Sequence, residues 1–181
     1  MSYLVATDKT TYTLYLSSNN KINGSNNNSA QFNVNWDTFL PRKYDYFKMI
    51  FNFQSTGGFY KDSTTGGKTY TSGKIYIDLG SRSFTYDTGT TGGSQILGII
   101  TRDIQTTSSS SNTFSAFFYQ NASKTIGRPT QNIFTVQVYN NYDNSLLTNT
   151  DTNGTATTDM TSWNMMIEFI PIDPTSTTNS I

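Results

Sequence analysis

The sequence predicts an all-β protein, and three observations lead there. Apolar and polar residues alternate with a period of two in segments spread from end to end, the spacing of half-buried strands. Aromatic residues make up 14% of the chain, including 12 Tyr and 12 Phe, and such side chains suit a pleated, half-buried surface. Thr (31), Ser (21) and Asn (19) dominate the polar remainder. These residues compete with helical backbone hydrogen bonds and favour turns and strand exteriors.

The segments follow in order. Residues 11–16 put Tyr12, Leu14 and Leu16 on one face, and 30–36 alternate Phe32, Val34 and Trp36 against Gln31, Asn33 and Asn35. Residues 46–54 are the clearest strand: Phe47, Met49, Phe51 and Phe53 face one way, Lys48, Asn52 and Gln54 the other. Residues 74–79 turn Ile75, Ile77 and Leu79 inward. The run 94–104 is more uniformly apolar, as a strand covered on both faces is. Phe114, Phe117, Phe118 and Tyr119 mark 113–120, and Phe134, Val136 and Val138 mark 133–140. Residues 162–170 close the set with Trp163, Met165, Ile167 and Phe169. Eight main strands result, with 81–88 as a short ninth candidate.

Between them, Asn23-Gly24, Gly57-Gly58, Gly66-Gly67, Gly92-Gly93 and Asn153-Gly154 are turn dipeptides that accept positive φ. Two connectors, 55–72 and 141–161, are long enough to imply contacts or function. With 181 residues the chain suits one domain with a sizeable core. The expected fold is a single-domain, eight-stranded antiparallel jelly-roll sandwich over 11–171, with an N-terminal arm at 1–10 and a C-terminal tail at 172–181. An immunoglobulin-like order stays open, although no Cys…Trp…Cys spacing is present.

Charge and composition exclude several function classes. Twelve basic residues balance 12 acidic ones and the four arginines are scattered, so no clustered cations exist to displace phosphate counterions; no nucleic-acid partner is expected. The chain has no His and no Cys, which removes Ser-His-Asp and Cys-His triads, thiolate zinc sites and disulfides. The first residues lack a basic n-region and an apolar stretch of signal length, and no apolar run approaches a membrane span. The expectation is a soluble protein made in a cytoplasm, with no direct membrane insertion.

What remains for catalysis is 11 Asp and one Glu, and a glycosidase needs two carboxyls facing one cleft. Asp78 and Glu168 have the parity opposite to their inward aliphatic neighbours, so they read as solvated strand-face charges. No catalytic, cofactor-binding or metal-binding residue is assigned. The 151–159 loop has the oxygen-rich opening of a calcium loop, but its glycine is misplaced and no Glu closes it. A plain turn is the expectation, with a weak cation site as the alternative. Sequons at Asn23, Asn27, Asn121 and Asn153 are as many as chance gives in a chain so rich in Asn, Ser and Thr. Phe59 and Tyr60 stand in a Gly/Thr loop and are the interface candidates; folding back as a lid on the core is the equal alternative. Trp36 and Trp163 are in phase with buried neighbours and read as core.

Three stretches carry a resemblance. Tyr12-Thr-Leu-Tyr-Leu-Ser-Ser-Asn-Asn with Ala30-Gln-Phe-Asn-Val-Asn-Trp resembles the first strands of the single-jelly-roll penton and minor capsid proteins of large eukaryotic DNA viruses and virophages. Gly127-Arg-Pro-Thr-Gln-Asn-Ile-Phe-Thr-Val-Gln-Val-Tyr-Asn-Asn is similar to their penultimate strand, and Ser162-Trp-Asn-Met-Met-Ile-Glu-Phe-Ile-Pro171 to their last. The resemblance implies a structural capsid protein of the virion, without enzymatic activity or cofactor. Its implied place is the penton at icosahedral vertices, a pentamer of itself that meets major or minor capsid proteins through edges and loops. A carbohydrate-binding jelly-roll module is the alternative, disfavoured by inward Trp residues and the lack of a signal peptide.

Overall fold

The two longest alternating segments pair with each other. Strand β3 (Tyr46–Ser55) runs antiparallel to β9 (Trp163–Ile172) along the full 10 residues of each, from Tyr46 opposite Ile172 to Ser55 opposite Trp163. The computed structural model describes residues 10–22, 26–55, 72–81, 96–101, 116–118, 123–140, 144–148, 159–160 and 162–173. Around the central pair stand β1 (Tyr12–Ser17), β6 (Ala116–Phe118) and β7 (Ser123–Gly127). A second sheet holds β2 (Ser29–Asn33), β8 (Ile133–Asn140), β4 (Ser72–Ile77) and β5 (Ile96–Thr101). The orders are β1-β9-β3-β6, with β7 also on β3, and β2-β8-β4-β5. Every pairing is antiparallel.

The inward-facing side chains of the two sheets form one core. Phe47, Met49, Phe51 and Phe53 from β3 and Trp163, Met165, Ile167 and Phe169 from β9 are all buried, as the alternation predicts. Ile75, Ile77, Phe134, Val136 and Val138 meet them from the other sheet. Rings bridge the layers: Phe32 of β2 lies edge-on to Trp163 of β9 at 5.8 Å, and Trp36 to Phe169 at 5.6 Å. The molecule is therefore an all-β sandwich.

Three features depart most from the sequence expectation. Nine strands, not eight, stand among the described residues, because Ser123–Gly127 pairs with Tyr46–Ile50 directly after β6 pairs with Phe53–Ser55. That strand carries one buried apolar residue, Ile126, too little for alternation to register. The strand expected over 30–36 stops at Asn33, since the Asn35 side chain accepts the Thr38 N–H and starts a helical turn, α1 (Trp36–Phe39). Trp36 is buried all the same. The last strand runs on through Pro171 to Ile172. Proline is tolerated there because β1 begins opposite Phe169, so no ladder partner is lost on that side. The ninth-strand candidate at 81–88 lies, after Ser81, outside the described residues.

Polar contacts anchor the connections. Asp78 Oδ1 accepts the Gly80 N–H at 2.8 Å, and Gly80 sits at φ +67°. A Cβ at Gly80 would press on Thr130 Oγ1 and Gln131 Cγ, so both conformation and space require glycine. The Arg128 guanidinium gathers the carbonyls of Trp36 (3.3 Å) at the start of the helical turn and of Leu40 (2.9 Å) and Pro41 (2.7 Å) just after it.

Candidate interaction surface

The carboxylates that a glycosidase would need are not brought together. Glu168 stands on the outer face of the first sheet, whereas Asp78 follows β4 in the second sheet and its carboxylate is turned to the Gly80 N–H. Asp159, the last residue of the loop considered for a cation, has both oxygens committed to backbone. Oδ2 accepts from Asn27 N–H at 2.8 Å, and Oδ1 from Asn28 N–H at 2.9 Å and Met160 N–H at 2.8 Å. The rest of that loop, from 151 to 158, lies outside the described residues. Asn27 is tied down too: its Nδ2 donates to Met160 O and its carbonyl accepts the Trp163 Nε1–H. Trp36 Nε1–H donates to Gln131 O, so both indoles are packed and hydrogen-bonded, with no face free to stack on a sugar. Phe59 and Tyr60 lie outside the described residues.

The outer faces of the two sheets are unlike. On the second sheet β2, β8 and β4 turn out Gln31, Asn33, Thr135, Gln137, Lys74 and the edge-on pair Tyr76–Tyr139, with Ile133 the one exposed aliphatic. A polar outer face is the usual partner of a buried inner one. On the first sheet the register brings Tyr15, Met166, Ile50, Ile170, Tyr46 and Ile172 to the outer face. Tyr15 is 63% exposed and Tyr46 50%. Lys48 and Glu168 share this face with the uncharged polar residues Thr13, Ser17, Asn52, Gln54, Asn164 and Thr125, and its apolar members face one another as Tyr46–Ile172 and Tyr15–Met166, with Ile50 and Ile170 between them. Contiguous apolar area on an outer face marks an interaction site.

The signal for this face was present in the sequence. Met165-Met166-Ile167 and Phe169-Ile170 are apolar at both parities, and Ile50 sits among outward residues. Attention to the inward phase alone leaves these residues unread.

The strand edges are also unlike. Strand β7 is short and turns Lys124, opposite Met49, towards the inner side; burial pulls its ammonium below the usual lysine range. An inward lysine on a short strand guards an edge against foreign strands. The outer edge of β2 is bridged by Ile22, whose N–H donates to Gln31 O at 2.8 Å. Strand β5 holds Gly98, and its ladder with β4 is broken between Ile75 and Tyr76. Among the described residues, strand β1 has none of these devices: its six residues are uncharged and pair with β9 in unbroken register. No family model, no curated protein and no solved structure matches the chain.

Proposed function

We propose that this chain is a structural capsid protein, a single jelly roll that rings with four copies of itself at an icosahedral vertex and meets the major or minor capsid proteins around it. The observation that carries the reading is the outer face of the first sheet, where Ile50, Met166, Ile170 and Ile172 stand outward beside the exposed Tyr15 and Tyr46, while Ile133 is the one outward aliphatic of β2, β8 and β4. A sandwich needs one buried face per sheet; a second apolar face is explained by cover from another molecule. The strand order supports the jelly roll. With β6 and β7 counted as one interrupted strand along β3, the sheets read β1-β9-β3-β6/β7 and β2-β8-β4-β5. This is the order made by rolling two Greek keys together.

Zero net charge adds support, because identical copies meet without long-range repulsion. The reading needs no cofactor, no catalytic residue and no nucleic-acid contact. Electron microscopy of the purified chain tests it. Ring-shaped particles of five-fold symmetry are expected, and a monomer at every concentration would overturn the assignment.

A further inference from the structure

Strand β1 is an outermost strand whose free side has, among the described residues, no partner. Such a side presents a row of N–H and C=O groups that only another extended chain satisfies fully. Proteins that stay monomeric blunt this row with charge, proline, a bulge or a covering segment. The other outermost strands of this molecule carry one or another of these devices, and among the described residues β1 carries none. Its inward side chains point the same way. Leu16 is buried, but Tyr12 and Leu14 are only partly buried against the core, on the flank where the sheet ends.

We infer that β1 is a self-pairing edge, joined antiparallel to β1 of a second copy across a two-fold axis through Leu14. Three constraints choose the occupant and the register. Directly opposite residues share a face, so only pairings with an even sum of residue numbers keep both cores on one side. Centring on Leu14 places Leu14 on Leu14, Tyr12 on Leu16 and Thr13 on Tyr15, apolar on apolar inside and exposed on exposed outside. Centring on Tyr15 would force Tyr12 against Ser18, which has already turned into the 3-10 segment Ser18–Asn20 and is buried. Charge decides the occupant: antiparallel self-pairing puts each side chain opposite its own kind or a near neighbour, which an uncharged strand accepts and a lysine-bearing strand such as β7 resists.

Such a contact joins the two first sheets into one continuous sheet, with the apolar outer faces side by side. It is isologous, whereas a ring of five uses unlike patches, so it goes beyond the proposed ring and links one ring to another.

Sedimentation velocity over a concentration series tests the register with two variants of the full chain. Thr13 and Tyr15 are exposed, so neither variant disturbs the core; circular dichroism checks that both remain folded. In Thr13→Lys/Tyr15→Lys, like charges face each other across the axis, and two-fold association should weaken tenfold or more. In Thr13→Lys/Tyr15→Glu, opposite charges face each other twice, and two-fold association should exceed that of the double-lysine variant tenfold or more. Equal association by both variants overturns the edge contact. Equal loss in both also overturns it, since the outer face rather than the register would then hold the copies, and the capsid reading would survive. A wild-type monomer throughout overturns both.

Discussion

Phe169 is fully buried, and its ring lies edge-on to Trp36 at 5.6 Å, Phe39 at 6.1 Å and Phe47 at 6.4 Å. These contacts tie α1, β3 and β9 together at one end of the core. Removing the ring forfeits its burial and leaves a cavity that neighbouring rings cannot collapse to fill. Phe169→Ala should therefore lower the unfolding free energy by about 3–5 kcal/mol in a denaturant titration. A loss below about 1 kcal/mol would mean that β9 is out of phase. The inward phase was fully legible, because each buried residue of β3 and β9 sits two positions from the next. Asp159 was not legible as a clamp. Two of its three named partners are backbone N–H groups more than 130 residues away, and backbone donors leave no mark on a sequence.

At the scale of elements, Arg128 shows how a connection is held. Its planar fork reaches carbonyls of Trp36, Leu40 and Pro41 at once, while its own N–H donates to Asp45 O at 2.7 Å. A lysine ammonium is a point donor and cannot span that set. Arg128→Lys should leave at least one carbonyl without a partner and cost about 1–3 kcal/mol, read as a lowered melting temperature with the same spectrum of folded β structure. An unchanged melting temperature would show that water serves these carbonyls as well as the guanidinium does. Strand existence was legible wherever alternation ran long. The turn at α1 was hidden because Trp36 continues the inward phase of Phe32 and Val34 while the backbone has already changed direction at Asn35. Strand β7 was hidden because it owes its place to the free edge of β3 rather than to its own pattern.

For the whole molecule, the account rests on the outer face of the first sheet, where Tyr15, Tyr46, Ile50, Met166, Ile170 and Ile172 stand outward among polar neighbours. The expected interface pair, Phe59 and Tyr60, lies outside the described residues; the candidate surface among the described residues is the outer face of the first sheet. A face used for assembly differs from a core in one measurable respect: charges placed on it abolish association while leaving the fold intact. Met166→Lys/Ile170→Glu is the variant that separates the two. It leaves the net charge unchanged and sets the new carboxylate opposite Lys48 in the ladder, so cross-strand repulsion is avoided. Mass photometry of this variant beside the wild type, over one concentration series, is the most direct test. The account predicts a wild type with ring-sized particles and a folded variant no larger than the β1-paired dimer; the same mass distribution for both would contradict it.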